Sequence, residues 1–478
     1  MMHVIEFLKN LTFWEWYILL FWPYRYVRLI VNIIGHCLYR SIPQPQNPTY
    51  TKEDVTVVIP TIESNLEELR GPISSILACG PHELILVTTF GKYHGLLQFA
   101  ASFGDPRIKV YDTKIANKRV QLREAIPRVT TRITVLVDDD VTWPSTILPW
   151  LLAPFEREDM GSVGVCQRVQ RVRTGDFATR AWNWLGACYI HRRNFEISAS
   201  HFYDGGTSCM SGRTNAVRTE ILKHPLFLDG FCKERWGKYH LNADDDNFLT
   251  RWLVNHDWKT WIQYERECEI ETTLENDWSF VRQCLRWARS NWRSNYTTLF
   301  IERKVYWSQW WTIYALYFAT FTSLGLITDP LYFYSFYCAS RNWDQTSALT
   351  GWSLVIAWYI FTKLVKLAGL LRRHPSDIVY VPVSVVFGFF HGFIKLKALW
   401  TWNETSWGNR PDGDIDNSER MQPTAVPADV MINPMPGTQS LVRYKDEVLI
   451  SRVPSGLRLS KTSTFSEKEP LLLGVDDI

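Results

Sequence analysis

Three consecutive carboxylates, Asp138, Asp139 and Asp140, follow the apolar run Thr134–Val137 and are the clearest candidates for chemistry. The run has the β-branched and apolar composition of a buried strand, and ligands of open α/β sheets bind where such strands end. Because alternate residues of a strand share a face, we expect Asp138 and Asp140 to converge while Asp139 points away. Carboxylates are preferred ligands of Mg²⁺ and Mn²⁺. The pattern predicts a divalent-metal site, and a solvated acidic turn is the alternative.

A second acidic run, Asp244–Asp246, precedes the apolar helical segment that begins at Phe248. An ionised aspartate in a cleft can act as a general base. The alternative is that these acids only cap the helix that follows.

Two basic residues, Lys118 and Arg119, begin a helix ahead of the strand that leads to Asp138. Cations are disfavoured at a helix start unless an anion such as a diphosphate also docks there. A Gly- and Ser-rich stretch, Gly205–Gly212, permits close backbone approach to a ligand. The bland alternatives are a solvated basic turn and an ordinary flexible loop.

Gln283, Arg286 and Trp287 are spaced to share one face of a helix. That face offers an amide, a cation that can bind phosphate with two hydrogen bonds, and an aromatic plate. The alternative is a basic helix lying at a membrane surface. Trp407–Arg410 follows the last apolar stretch and is a weak signal by itself.

The elements that must position these residues alternate between strand and helix patterns. Strands are predicted at Val55–Pro60, Glu83–Thr89, Arg107–Asp112 and Ile133–Asp138, and helices at Ser64–Cys79 and Lys118–Val129. This order predicts an α/β fold with a mostly parallel sheet covered by helices on both faces.

Several apolar stretches indicate a membrane protein. Candidate spans are Phe13–Tyr39, Trp307–Ile327, Ser353–Leu371 and Tyr380–Trp402, and two Trp-rich segments, Thr179–Arg193 and Trp278–Asn295, have the pattern of helices lying flat at a membrane surface. The mean hydropathy of −0.15 suits a soluble domain with a few spans. Basic residues after the first span predict a cytosolic catalytic domain. Asn10 then begins an N-glycosylation sequon on the opposite side.

Four regions are predicted: a membrane anchor and linker at 1–50, a cytosolic catalytic domain at 51–300, transmembrane and interfacial helices at 301–410, and a disordered Pro/Ser-rich tail at 411–478. The 52 Lys and Arg nearly balance the 49 Asp and Glu, which gives no support for nucleic-acid binding. The nine Cys lack a CxxC pair or zinc spacing, so we interpret them as reduced thiols.

Taken together and in this order, the motifs resemble those of processive family 2 glycosyltransferases, most closely the hyaluronan-synthase-like group with its fungal membrane polysaccharide synthases of the capsule or hyphal-surface type. The resemblance covers roughly residues 50–410. It implies a Rossmann-like GT-A domain with flanking transmembrane and interfacial helices. The matching residues are Asp138 and Asp140 of a DxD motif, Lys118 and Arg119, the acceptor-loop residues Cys209, Ser211 and Gly212, the QxxRW residues Gln283, Arg286 and Trp287, and a gating-like Trp407–Arg410.

The resemblance further implies an inverting hexosyltransferase that uses a nucleotide-sugar, expected to be a UDP-sugar, to synthesise and export an extracellular or cell-wall polysaccharide. Asp246 is expected to be the catalytic base, with Asp245 beside it. Lys118, Arg119, Asp138, the QxxRW residues, Trp407 and Arg410 would bind the donor diphosphate, and the acceptor loop and Trp287 the growing polysaccharide. The implied cofactor is Mn²⁺ or Mg²⁺, and the implied location is the plasma membrane.

Two other functions are weighed against this one. A non-processive glycosyltransferase of the ceramide or dolichol-phosphate type would share the DxD and QxxRW motifs. A membrane scaffold or transporter subunit would give no reason for two acidic clusters. The chain also departs from the family: Thr88-Thr89 ends the second strand where an Asp is usual, and Asn247 replaces an Arg in the base motif. These departures weigh against hyaluronan as the product.

Overall fold

The computed structural model describes residues 11–322, residues 324–405 and two short strands at 442–444 and 447–449. The strands of the catalytic region are β1 (Val55–Pro60), β2 (Glu83–Thr89), β3 (Ile108–Thr113), β4 (Ile133–Val137), β5 (Val141–Thr142), β6 (Met160–Val165), β7 (Gln167–Val169), β8 (Thr214–Arg218), β9 (Arg235–Trp236), β10 (Tyr239–His240), β11 (Lys259–Gln263) and β12 (Ile270–Thr272). Seven of them form a mixed sheet at the centre of this region, in the order β11-β6-β8-β4-β1-β2-β3. The four strands predicted from the sequence are therefore confirmed to within a residue or two.

The sheet is less parallel than the sequence pattern indicates. β8 runs antiparallel to both of its neighbours, β4 and β6. Its residues Thr214–Arg218 are all buried although three of the five are polar, so the strand carries no apolar pattern that would have revealed it. A smaller sheet of β5, β12 and β7 flanks the end of β4.

Helices cover both faces of the central sheet. The helices of the chain are α1 (Phe13–Leu38), α2 (Arg70–Ala78), α3 (Tyr93–Ala101), α4 (Lys118–Ala125), α5 (Ile147–Leu152), α6 (Phe177–Tyr203), α7 (Thr219–Lys223), α8 (Pro225–Lys233), α9 (Asp245–Asn255), α10 (Ser279–Tyr296), α11 (Trp310–Thr322), α12 (Gly325–Ser340), α13 (Gln345–Arg373) and α14 (Pro375–Trp400). In β1, Val57 packs under α2, α3 and α5, whereas Val58 packs under α4 and α7–α9. Strands buried on both faces are the reason that these runs are continuously apolar.

The parallel arrangement of β1, β2 and β4 brings their carboxyl ends to one edge of the sheet. The acidic run after Val137 starts at this edge. The amino end of α4 lies at the same edge. Its N-cap residue, Asn117, donates a side-chain hydrogen bond to Asn242 ahead of α9, which brings the start of α9 to this place as well. The topology thus gathers three of the sequence motifs in one place.

Among the described residues, three helices, α1, α13 and α14, are long and apolar enough to cross a membrane. The stretch predicted as a span at Trp307–Ile327 is broken, because α11 ends at Thr322 and α12 begins at Gly325 at an angle of 86° to it. These helices are joined by buried charges: Asp329 on α12 accepts hydrogen bonds from Arg25 of α1 at 2.5 Å and from Lys363 of α13 at 2.7 Å.

The two Trp-rich segments, predicted to lie at a membrane surface, pack against the apolar helices. α6 packs against α1, where Gly35 lies close to Ala199 and Tyr203, and the Trp184 side chain is completely buried. α10 packs against α14, and Trp292 Nε1 donates to the Lys395 carbonyl at 3.1 Å. Both helices therefore join the catalytic domain to the apolar helices.

Candidate active site

The first acidic run forms one wall of a cavity of about 1230 Å³ at the carboxyl edge of the sheet. Asp140 Oδ2 accepts hydrogen bonds from Thr272 Oγ1 at 3.0 Å and Thr273 Oγ1 at 3.2 Å. Asp139 accepts from Thr61 Oγ1 at 2.7 Å, at the end of β1. All three carboxylates line the cavity, including Asp139, which was expected to point away.

Asp140 lies in an environment that disfavours its charge. Burial and the neighbouring Asp138 carboxylate raise the pKa of Asp140 to about 6. The cationic Arg213 and the hydrogen bond from Thr272 oppose this shift only in part. A positive group arriving beside Asp138 and Asp140 would relieve the repulsion, which is the electrostatic condition that a cation site requires.

Each carboxylate of the second acidic run has a different partner. Asp244, the N-cap of α9, is buried and bonded to Ser290 and Arg293 of α10. Asp245 Oδ2 pairs with Lys118 Nζ at 2.9 Å. Asp246 contacts the Cys209 thiol, and burial followed by the nearby Asp245 raises the pKa of Asp246. The N-cap Asp244 makes no side-chain capping hydrogen bond, whereas Asp246 Oδ1 accepts from the Asn247 backbone N–H in the first turn of α9 at 2.8 Å.

Lys118 links the two acidic runs. Its Nζ lies 2.7 Å from Asp138 Oδ1 and 2.9 Å from Asp245 Oδ2. Burial disfavours the ammonium, but these two carboxylates outweigh burial and raise the pKa of Lys118. The side chain therefore carries a fixed positive charge at the cavity wall, directly against Gly212.

Arg119, which was expected beside Lys118 at the diphosphate, lies elsewhere. Its side chain has no exposed area and is paired with Glu234 at 2.7 Å. It also donates to the carbonyls of Phe231 and Ala243, both at 2.7 Å. Successive residues of a helix point about 100° apart, so one residue of this pair faces the cavity and the other braces the loop that leads to α9.

The acceptor-loop residues Cys209, Ser211 and Gly212 line the cavity as a group. Met210 N donates to Thr250 Oγ1 of α9 at 2.8 Å, which joins this loop to the second acidic run. Arg193 of α6 donates to the Cys209 carbonyl at 2.9 Å. Burial, and after it the Asp246 charge, raises the pKa of Cys209, so the thiol is protonated at neutral pH.

Gln283, Arg286 and Trp287 line the same cavity from α10. Burial lowers the pKa of Arg286, while Asp246 and the other acids around the cavity oppose that effect, so its guanidinium faces both acidic runs. The Trp287 ring lies 4.9 Å from the ring of Tyr189, with their planes tilted by 31°. Arg213 stands over the Trp287 ring at 5.6 Å.

The cavity continues beyond these residues to the apolar helices. Its far wall includes Ala315 and Ala319 of α11, Ser384 and Gly388 of α14, and the polar residues Arg28, Arg192, Glu196, His391 and Lys395. The small side chains leave the passage open, and the polar ones make its wall hydrophilic. A single space therefore joins the sheet edge to the region between α1, α11 and α14.

Comparisons with known proteins identify the family of this chain. Residues 52–290 match a family model described as "Glycosyltransferase like family 2". A "Type 2 glycosyltransferase" of Gibberella zeae is 56% identical over 440 residues, which are 92% of this chain and 84% of that protein. The chain belongs to glycosyltransferase family 2.

Other relatives of this family 2 enzyme extend the comparison. A "Type 2 glycosyltransferase" of Zymoseptoria tritici is 44% identical over 444 residues, covering 92% of this chain and 93% of that protein. A mannosyltransferase from Pyrobaculum calidifontis, solved in complex with GDP-Man and Mn²⁺, superposes with a TM-score of 0.50 over 79% of this chain and 96% of its own. At 14% identity this likeness shows the fold alone, and the expected Rossmann-like GT-A fold is confirmed.

The described residues of this glycosyltransferase contain no group of three His, Cys, Asp or Glu side chains arranged to hold a metal. The carboxylate ligands at the site nevertheless fit a divalent cation that the protein holds only in part. Asp138 and Asp140 supply oxygen ligands on the cavity wall. Burial, and after it the Asp138 charge, raises the pKa of Asp140, so a cation at this place would be favoured. A donor diphosphate would supply further oxygen ligands.

Some functional residues of the glycosyltransferase could not be found from sequence motifs. Tyr189, Arg193 and the pair Thr272 and Thr273 reach the cavity from α6 and from the end of β12. Tyr189 and Arg193 lie in the Trp-rich segment Thr179–Arg193, whereas no sequence pattern pointed to Thr272 and Thr273. The predicted gating residues Trp407 and Arg410, the sequon at Asn10 and most of the 411–478 tail lie outside the described residues.

Proposed function

We propose that this protein is a membrane-embedded, processive, inverting glycosyltransferase that builds a polysaccharide from a nucleotide-sugar. The observation that carries the proposal is the single cavity that connects Asp138, Asp246 and Trp287 with the space between the apolar helices. A relative in Aspergillus luteorubrus, 28% identical over 395 residues, is named as an NDP-glycosyltransferase, which supports a nucleotide-sugar donor. We further propose a UDP-sugar donor and an extracellular or cell-wall product.

Asp246 is the proposed general base. Its carboxylate takes the proton from an acceptor hydroxyl while that oxygen attacks the anomeric carbon and the bond from this carbon to the diphosphate breaks. The nucleoside diphosphate leaves with the bonding electrons, and the configuration inverts. Burial raises the pKa of Asp246, which makes the carboxylate a stronger base.

Positive charge on the cavity wall stabilises the leaving diphosphate. Lys118 and Arg286 both line the cavity, and each faces carboxylates of the two acidic runs. Fixed cations in a partly desolvated site stabilise developing negative charge without reorganising. Arg119 contributes indirectly, because it braces the Ala243 carbonyl.

Asp138 and Asp140 are the residues that would hold Mn²⁺ or Mg²⁺. A divalent cation there supplies charge neutralisation to the departing diphosphate. The Mn²⁺ in the archaeal mannosyltransferase structure supports this proposal.

The Trp287 ring is the proposed acceptor platform. Sugar C–H faces pack on aromatic plates, and the tilted Tyr189 ring extends the aromatic surface along the cavity. Cys209, Ser211 and Gly212 line the same cavity and form the proposed acceptor loop. Beyond Trp287, a chain would pass between α11 and α14 into the bilayer region.

The membrane placement is proposed from the helices. α1, α13 and α14 would span the plasma membrane, with the catalytic domain cytosolic because Arg40 and Lys52 follow the carboxyl end of α1. The four regions at 1–50, 51–300, 301–410 and 411–478 remain our proposed domain division.

A non-processive transferase with a lipid acceptor is the second candidate. The passage beyond Trp287 carries Arg28, Arg192, His391 and Lys395 on its wall, and charged groups between apolar helices usually face a water-filled or polar path. Such a wall suits a hydrophilic chain better than a hydrocarbon tail. This observation favours the polymer.

Isolated membranes incubated with a panel of labelled nucleotide-sugars and Mn²⁺ test the proposal. We expect one donor to yield a product of high molecular mass. One nucleoside diphosphate should be released for each sugar added to the product. Membranes carrying Asp246→Asn serve as the matched control and should give none. A product with a single sugar on lipid would refute processivity, and the absence of transfer or donor hydrolysis with every donor would refute the enzyme.

A further inference from the structure

Asp244 has an unusual backbone conformation at the start of α9. Its φ is 68°, in the left-handed region where residues with a side chain are strained. Within the described part of the chain, only Asp257 and Arg303 share a positive φ among residues other than glycine. Such a conformation persists only where the surroundings hold it.

A buried ion pair holds Asp244. Its Oδ2 accepts from Arg293 Nε at 2.9 Å and lies 2.8 Å from Arg293 Nη2, and Ser290 Oγ donates to Oδ1. Burial by itself would raise the pKa of Asp244, but Arg293 and Ser290 hold it below its ordinary value. The carboxylate is therefore charged and fixed to α10, on the face that also carries Gln283 and Arg286.

Arg293 also holds the chain beyond the last apolar helix. Its Nη1 donates to the Trp402 carbonyl at 2.8 Å and to the Glu404 carbonyl at 3.1 Å. One turn earlier on α10, Arg289 pairs with Glu404 and donates to Thr401 Oγ1 at 2.9 Å. The 401–404 segment is thus docked on the helix that anchors Asp244.

We propose that Asp244 is a positioning residue: held by Arg293 and Ser290, it fixes the backbone from which Asp245 and Asp246 enter the cavity. Asp245 and Asp246 are the next two residues, so a change in the backbone at Asp244 moves both carboxylates relative to Lys118 and Cys209. The inference rests on the proposed function only for the role of Asp246 as base.

The Cys209 thiol reports the position of Asp246 without any catalysis. Burial and the Asp246 charge raise the pKa of Cys209, so displacement of that carboxylate makes the thiol easier to ionise and to alkylate. Iodoacetamide labelling of the full-length protein in detergent, followed by peptide mass spectrometry, measures the rate at this residue alone. Asp246→Asn gives the rate expected when the charge is lost. The buried Cys284 of α10 should stay unlabelled while the fold is intact.

Asp244→Gly removes the anchor without straining the backbone, because glycine adopts a left-handed conformation freely. We expect Asp244→Gly and Arg293→Gln to raise the Cys209 alkylation rate towards that of Asp246→Asn, and Asp244→Asn, which keeps one acceptor oxygen, to lie between. Turnover should fall roughly 10–100-fold, as for a misplaced catalytic group. The affinity for the nucleotide should change less, by about twofold, because Asp138 and Arg286 are untouched and Lys118 keeps its bond to Asp138.

Arg289→Gln is the matched control, since Arg289 contacts the same segment from the same helix without touching Asp244. It should leave the Cys209 rate unchanged. An unchanged Cys209 rate in Asp244→Gly would overturn the inference, and so would an equal rise in Arg289→Gln. If the wild-type protein transferred no sugar, the proposed function would fail, but the alkylation rates would still decide the positioning role.

Discussion

Gly212→Ala tests the position of the Lys118 ammonium with one methyl group. A Cβ at residue 212 would lie 2.8 Å from Lys118 Nζ, 3.6 Å from Asp138 Oδ1 and 3.8 Å from Asp245 Oδ2. The close contact is with the end of a flexible side chain, and Gly212 has no positive φ, so the backbone can accept alanine. The substitution should displace the ammonium and leave the fold intact.

The size of the effect follows from the distances. To reach an ordinary contact of 3.4 Å, the ammonium must move by about 0.6 Å. Lengthening a charge pair from 2.7 to about 3.3 Å weakens its Coulomb energy by about 1 kcal/mol at an effective dielectric constant of about 20. The Asp245 pair, now 2.9 Å long, loses a similar amount. The sum of about 2 kcal/mol sets an upper limit of roughly 30-fold on the loss of transfer rate.

The assay is nucleoside diphosphate release by the detergent-solubilised enzyme, with thermal unfolding of the same samples. We expect Gly212→Ala to lose about tenfold or more in rate with little change in unfolding temperature. Gly91→Ala is the matched control, because a Cβ at that position meets nothing within 4 Å. Wild-type turnover by Gly212→Ala would refute the role assigned to Lys118, and a large fall in unfolding temperature would show that the backbone cannot accept alanine.

Three further predictions concern the base, acid stability and the tail. Asp246→Asn should lose roughly 10²–10⁴-fold in turnover and keep its affinity for the nucleotide. Asp140→Asn should weaken Mn²⁺-dependent nucleotide binding. If calorimetry finds the reverse, the roles assigned to Asp246 and Asp140 are wrong. Burial lowers the pKa of His201 from 6.5 to about 4, so the unfolded chain binds the extra proton first and stability should fall as pH drops from 6.5 towards 4. Replacing His201 by Gln should flatten that slope of unfolding temperature against pH, and the exposed His94→Gln should not. Truncation after about residue 415 should keep synthesis in membranes, and total loss of activity at normal expression would make the 411–478 tail part of the catalytic unit.

The local pattern of apolar and polar residues in the sequence was enough to predict the strands whose carboxyl ends form one edge of the sheet. It also predicted the motifs at the ends of these strands. β1 and β4 are continuously apolar because both of their faces are buried, and a strand of that kind is visible in any sequence. The QxxRW residues are recognisable for a similar reason, since their helical spacing alone places them on one face. The two acidic runs follow the same logic, because strand ends and helix starts are the positions where short polar side chains reach a ligand.

Other features could not be predicted, because they depend on which surfaces of the folded chain pack together. The Trp-rich α6 and α10 have apolar faces that could pack on a membrane or on protein, and a sequence pattern is the same in both cases. β8 is buried although it is mostly polar, because its hydrogen bonds are completed by β4 and β6. The break between α11 and α12 lies inside an apolar run that continues across it.

By itself, the amino-acid sequence determined the α/β fold class, the acidic runs and the helices apolar enough to span a membrane, because each depends on neighbours along the chain. Only the tertiary structure decided the role of each residue within a run. Lys118 bridges two acidic runs while the adjacent Arg119 is buried beneath them, and Asp244 is an anchor while Asp246 faces the acceptor loop. Adjacent residues with the same chemistry differ only in direction, and long-range packing determines that direction.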